Sequence, residues 1–541
     1  CLAEPEKPHY KGGIIVNPEF NDGVQGWEAL GKGEMKQQLS NGNRFLVLHS
    51  RTHPLDSFGQ KVHLEKDKLY ALSAWVQINK GNEAVSAIFR TKDGQLLHAG
   101  TVLAKSGCWS MLKGGISTNT TSHADLYFET GNAVVEIWVD SISLQPFSKA
   151  QWRSHQDTSI EQARKTKVRF EVTDSDGTKL AGVQVSIKQT RSDFPFGCAM
   201  SKNILTSTDY QSWFSSRFKF TTFANEMKWY SNETSGPGQE NYTIPDAMVA
   251  FAKKNNISIR GHNVFWDNPE YQPRWIKALL SEQIGPAAAR RIDSVVSRYN
   301  GQLIAWDVVN ENMHFSFFEE KIGKNASAVF YNRAHQLDAT ATLFLNEYNT
   351  IENSEDKTAN PANYLKKLKE IQAHPGNENL PFGIGLQTHF PALPPNLAYM
   401  RAGMDMLGSL GFPMWLTEVD VNTGPNQAVV LEEILREGYS NPYVDGMIIF
   451  SGPYIDGCRR MCLTDPDYKS NEAGEVVDKL LKEWKSGEFE ATTDANGYLH
   501  TSLFHGEYDV IVTHPVTNAS KVMIFKVSKG NPDEIIHIKV T

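Results

Sequence analysis

The segment Ile304-Ala305-Trp306-Asp307-Val308-Val309-Asn310-Glu311 is an apolar run that stops at a polar tip. A strand buried on both faces of a parallel sheet reads as such a run, not as an alternation. Met414-Trp415-Leu416-Thr417-Glu418-Val419-Asp420 is built in the same way. Each run delivers a glutamate, expected at the C-terminal end of its strand. In barrels of alternating strands and helices, that end carries the chemistry. Two carboxylates placed there meet the requirement for glycoside hydrolysis: one acid for the leaving oxygen, one base or nucleophile at the sugar carbon.

Similar runs recur on either side. Strands are expected at 196–201, 220–226, 258–265, 304–310, 342–347, 382–388, 414–419 and 445–451. Helical stretches separate them. Ile244, Met248 and Phe251 mark one apolar stripe, and Val429, Val430, Ile434 and Leu435 another. Eight strands alternating with helices over 194–485 predict an α/β fold, a (β/α)8 TIM barrel.

The flanks are of another kind. Residues 1–148 carry short strands, such as 69–77, 124–129 and 134–140, between Gly, Asn and Asp breaks, and predict an N-terminal β-sandwich. Residues 165–192 and 488–541 each alternate around a turn, Asp176-Gly177 and Asn496-Gly497. Neither half has enough strands to cover a core alone. They are expected to form one small discontinuous β-sandwich, with the barrel inserted between its halves. Two separate β appendages are the alternative.

At 541 residues the chain exceeds the roughly 250–300 residues over which a single core grows. A net charge of −8 argues against nucleic acid. No apolar run approaches the roughly 20 residues needed to span a bilayer, so no membrane partner is expected. No cofactor and no metal are expected, because no second Cys/His cluster stands at zinc spacing. Cys458 with Cys462 and Cys1 with Cys108 are candidate disulfides, with five reduced thiols as the alternative, and Cys198 reads as a buried thiol. Six Asn-x-Ser/Thr sequons, at Asn119, Asn232, Asn241, Asn256, Asn325 and Asn518, point to a secreted, extracellular glycoprotein. The opening Cys1-Leu2-Ala3 fits a chain that begins after a cleaved signal peptide. A monomer is expected.

The two glutamate segments, Trp306-Asp307-Val308-Val309-Asn310-Glu311 and Trp415-Leu416-Thr417-Glu418-Val419-Asp420, resemble motifs of the family 10 glycoside hydrolases, which are mostly endo-1,4-β-xylanases. Asn225-Glu226-Met227-Lys228-Trp229, Arg260-Gly261-His262-Asn263, Asn346-Glu347-Tyr348-Asn349 and Gln387-Thr388-His389 follow in that family's order. The segment from Gly457 to Asp465 is similar to plant members. The resemblance implies Glu311 as general acid/base and Glu418 as nucleophile of a retaining mechanism. It also implies Asn310 on the sugar 2-hydroxyl, and His389 orienting the nucleophile with Gln387 in its network. His262, Lys228 and Asn225 are implied as sugar contacts, and Trp266 as an aromatic near the cleavage point. Asp420 is expected to support His389. Trp306-Asp307 reads as core packing. The implied substrate is xylan or arabinoxylan of the plant cell wall. A β-1,4-glucanase and a nearly silent wall-polysaccharide binding protein are the alternatives.

Gly26-Trp27 and Trp138-Val139-Asp140-Ser141-Ile142 resemble family 22 carbohydrate-binding modules, with Tyr127 and Glu129 at ligand positions. The usual Trp after Arg-Thr is absent, since Arg51-Thr52 leads to His53-Pro54-Leu55. The small split sandwich resembles a transthyretin-like domain. In the barrel, Ala224 stands where the family has a carboxylate, and Phe450 where it has a tryptophan. Tyr454 is the expected replacement platform. These departures predict weaker or shifted activity, with the chemistry intact.

Overall fold

The structure, a computed structural model, describes every residue except Ser451, Pro515, Ala519, 531–533 and Thr541, and the side chain of Glu534. The expected strand 445–451 and the segment 488–541 therefore lie partly outside the described residues.

Eight parallel strands close into a barrel: Phe196–Met200, Phe220–Phe223, Ser258–Trp266, Ala305–Asn310, Thr342–Glu347, Phe382–Leu386, Met414–Val421 and Val444–Ile449. Pairing of the sixth strand with the seventh, and of the eighth with the first, completes the ring. A helix follows each strand, from Thr208–Ser215 after the first to Glu472–Glu483 after the eighth. The fourth and sixth strands are buried at every position, so period-2 alternation has no solvent face to mark. Gly261 lets the third strand pass the buried Trp306 indole, because a Cβ there would lie 2.3 Å from the ring.

Three expectations shift in detail. The seventh strand continues three residues past Glu418, because Asp420 and Val421 pair with His389 and Phe390. Glu418 therefore lies within the strand rather than at its end. Helix Thr243–Lys254 packs through Met248, Val249 and Ala252, while Ile244, in its first turn, faces solvent. Helix Gln427–Ser440 buries Val430, Leu431, Ile434 and Leu435, but Val429 is 62% exposed.

The N-terminal part is two five-stranded sheets packed over one apolar core, with Phe58, Phe89, Phe128 and Leu144 inside. The expected strand at Val134 begins at Ile137 instead. Arg51 is buried. Its guanidinium donates to the carbonyls of Pro54, Asp56, Thr130, Asn132 and Val135 and locks a loop. Cys1 and Cys108 are bonded.

Helix Lys149–Arg164 joins this part to the barrel. Its signal in the sequence is the capping box of Ser148 and Gln151, each side chain satisfying the other's backbone N–H. Trp152 and Gln156 both donate to Glu437 Oε2 at 2.8 Å, and Arg401 grips the same buried carboxylate. At the helix end, Arg164 donates to the carbonyls of Tyr439, Asn441 and Val444, where the eighth barrel strand begins.

Strand Lys165–Thr173 lies between Tyr498–Phe504, antiparallel, and Glu534–Lys539, parallel. Strand Gln184–Ser192 lies between Glu488–Thr492 and Gly506–Thr513. Val168, Phe170, Val185 and Ile187 meet Leu503, Tyr508, Val510 and Val512 in a core separate from that of the barrel.

Candidate active site

Every barrel strand, or the turn after it, contributes to one cavity of about 590 Å³, from Ala199 of the first to Phe450 after the eighth. Asn225, Lys228, His262, Trp266, Asn310, Glu311, Gln387, His389, Glu418 and Asp420 all line it.

Glu311 stands just past the fourth strand with a positive φ of 59°. Non-glycine residues seldom hold that conformation, and functional sites are where they do. The turn brings Oε2 to the Trp266 indole N–H at 2.7 Å and Oε1 to Gln387 Nε2 at 3.3 Å. Burial, then the Glu347 and Glu418 carboxylates, push its pKa up to about 7, against the two donors. The neighbouring nucleophile candidate is thus a lesser cause than burial.

Glu418 is held the opposite way. Burial alone would raise its pKa, but His262, His389 and Lys228 bring it down to about 2. His262 Nε2 lies 3.8 Å from Oε1, and His389 Nε2 lies 3.4 Å from Oε2. Burial works against the charge on His389, and the Asp420 and Glu418 carboxylates overcome it, raising its pKa to about 10. His389 Nδ1 is 3.0 Å from Asp420 Oδ1.

Two buried groups outside the expected set hold these side chains. Asn346 Nδ2 donates to both Asn310 Oδ1 at 2.9 Å and Glu418 Oε1 at 2.8 Å, while the Thr417 hydroxyl donates to its Oδ1. The Glu418 carboxylate can only accept, so it fixes which way the amide points. Gln387 Nε2 adds a second donor to Asn310 Oδ1 at 3.4 Å, so the Asn310 NH₂ is the end turned to a ligand. Asp307 is more than core packing: it accepts from Arg260 at 2.7 Å and lies 2.8 Å from His262 Nδ1. A carboxylate only accepts, so it keeps a proton on Nδ1 and fixes the orientation of the ring, with Nε2 turned to Glu418. Gln387 joins the nucleophile's network through Asn310 and Asn346. Its side chain serves Glu311 and Asn310, and only its carbonyl reaches the nucleophile strand, accepting the Glu418 N–H at 3.0 Å.

The aromatic faces include Tyr271, which the sequence did not single out. Tyr271 stacks on Trp266 at 3.9 Å and Tyr348 on His314 at 3.9 Å, and both tyrosines line the cavity. Phe450 packs edge-on against His262 and His389. Tyr454 is half exposed and lines a neighbouring pocket that shares Gly457 with this cavity. Ala224 lines the cavity with a methyl side chain that carries no polar atom. In the N-terminal sandwich Tyr127 is only 4% exposed, too buried to act as a stacking face.

A carboxyl whose pKa is raised and a carboxyl whose pKa is lowered thus share one cavity, the division of labour that acid-assisted displacement needs. Residues 186–447 match the model of glycosyl hydrolase family 10, and residues 12–135 that of a carbohydrate binding domain. The Arabidopsis thaliana protein named endo-1,4-beta-xylanase 5-like is 47% identical, over 98% of this chain and 97% of its own length. The chain belongs to glycosyl hydrolase family 10. Endo-1,4-beta-xylanase 5 of the same plant is 46% identical over 98% of this chain and 91% of its own. Xylanase 10B from Thermotoga petrophila, solved with xylobiose, covers 54% of this family 10 chain and 94% of its own, at 24% identity and a TM-score of 0.47.

Proposed function

We propose that this family 10 chain is a retaining endo-hydrolase of 1,4-β-xylosidic bonds in cell-wall xylan. The observation that carries the reading is that Glu311 and Glu418 line one cavity, Glu311 against the Trp266 indole N–H and Glu418 between His262 and His389. Glu418 attacks the anomeric carbon while Glu311 gives its proton to the departing oxygen, and the glycosidic bond breaks. A covalent glycosyl-enzyme results. Glu311, now ionised, takes a proton from water, whose oxygen displaces Glu418 and restores both groups. Asn310, its carbonyl end held by Asn346 and Gln387, offers its NH₂ to the 2-hydroxyl. Such a contact strengthens as charge develops at the transition state. The names of the Arabidopsis relatives support xylan as substrate.

Secretion is part of the proposal. The Cys1–Cys108 and Cys458–Cys462 bonds suit an oxidising compartment. Asn232 drops out as a glycan acceptor. It is 2% exposed, donates to the Glu226 carbonyl and accepts from Arg291.

Release of reducing ends from arabinoxylan, with β-1,4-glucan as the comparison, tests the reading. Release from arabinoxylan alone supports it. Release from glucan alone favours the glucanase. Absence of release with retained xylan binding favours the silent binding protein, to which Ala224 gives some weight.

A further inference from the structure

The turn after the eighth strand closes on itself through the Cys458–Cys462 bond, and Arg460 stands inside it. Its Nε donates to both oxygens of Asp420, at 2.9 and 2.8 Å. Its carbonyl accepts from Thr423 Oγ1 at 2.9 Å and from Gln427 Nε2 at 3.0 Å. Gln427 Nε2 also donates to the Val421 carbonyl. One residue of a covalently closed loop is therefore pinned, by side chain and main chain, to the strand that carries Glu418. The family-model match ends at residue 447, before this loop.

We infer that Arg460 is a positioning residue: the disulfide-closed loop holds Asp420, and Asp420 holds His389 against Glu418. The inference rests on the proposed role of Glu418 as nucleophile. The physical reason is that Asp420, 2% exposed in its side chain, has two cationic neighbours, Arg460 on both oxygens and His389 on Oδ1. A carboxylate tied to one partner can swing. A carboxylate clamped by a guanidinium on a short covalent ring presents a fixed oxygen to the imidazole. The imidazole in turn lies 3.4 Å from Glu418.

The other charges around the pair come from elsewhere. His262 and Lys228 face Glu418, and Glu311 faces it across the cavity. Glu352 Oε1 accepts the backbone N–H groups of Thr388 and His389 and holds that turn without touching Asp420. Arg459 and Arg460 themselves line the cavity, so Arg460→Lys, which keeps the charge, is what separates loss of the clamp from loss of charge.

The test is the pH profile of kcat/KM for the full chain on a soluble xylan, with Arg460→Gln, Arg460→Lys and the double variant Cys458→Ser/Cys462→Ser. Loss of the clamp releases His389 and removes a nearby positive charge, and both effects favour protonation of Glu418. The acid limb is expected to move up by roughly one pH unit for Arg460→Gln. The maximum is expected to fall roughly ten- to a hundredfold. The basic limb, set by Glu311, stays in place. Arg460→Lys restores charge but not the planar fork, and falls between. The double variant keeps the guanidinium and opens its ring, so its acid limb moves in the same direction. It carries the test if Arg460→Gln does not fold. An acid limb unmoved in a folded Arg460→Gln protein, or in the double variant, overturns the inference. Glu418→Ala serves as the control: if it is inactive while Arg460→Gln is unchanged, only the inference fails. If Glu418→Ala keeps full activity, the proposed function fails instead.

Discussion

Trp266 donates its indole N–H to Glu311 Oε2 across 2.7 Å, and the same indole stacks on Tyr271 at 3.9 Å. The donor favours the ionised carboxylate and so partly offsets the burial that raises the Glu311 pKa. Trp266→Phe keeps a stacking ring and deletes the donor. The basic limb of the kcat/KM profile should therefore move to higher pH. A limb that stays put or moves down would show that the indole does not touch the acid in solution.

The two glutamates should leave opposite marks on stability. The folded pKa of Glu311, about 7, lies above its ordinary 4.5. Its contribution is full below pH 4.5 and is lost as pH rises through 7. The folded pKa of Glu418, about 2, lies below 4.5, so its contribution is present above 4.5 and lost as pH falls toward 2. Glu311→Gln, which stays neutral, should therefore gain stability over the natural chain near pH 8, by on the order of 3 kcal/mol. Near pH 4 the two should be alike. Denaturant midpoints at both pH values decide this, and an equal difference at the two would contradict it.

Asn346 touches both Asn310 and Glu418 without lining the cavity. Asn346→Ala should lower kcat roughly ten- to a hundredfold through misplaced groups, with a much smaller change in KM. Steady-state kinetics on xylo-oligosaccharides would show it. A rise in KM at constant kcat would assign Asn346 to ground-state binding instead.

The barrel was legible because its strands are buried on both faces and read as apolar runs. Both glutamates were legible for the same reason. What escaped was set by contacts between distant segments. Asp307 reads as core within its own strand, and only Arg260 and His262 of the neighbouring strand make it a site residue. The extension of the seventh strand past Glu418 depends on His389 and Phe390. Arg460 lies forty residues beyond Asp420. Val429 belongs to an apolar stripe but faces the crevice beside Leu393 and the N-terminal sandwich. The linking helix could have been found from Ser148 and Gln151.

We propose that residues 165–192 and 488–541 form one folding unit that fastens the two ends of the barrel. Deleting 488–541 would uncover Val168, Phe170, Val185 and Ile187. The melting temperature should fall, and limited proteolysis should cut within 165–192. An unchanged melting temperature with 165–192 still protected would contradict the proposal.

The assignment of Glu418 as nucleophile can be read from a trapped intermediate. A 2-fluoro xylobioside with a good leaving group slows both steps of a retaining reaction, the second more than the first. Peptide mapping of the inactivated protein should place one glycosyl group on Glu418, and loss of the leaving group should equal one per chain. A glycosyl group on another residue, or steady turnover to a product of inverted configuration with no label on the protein, would contradict the mechanism.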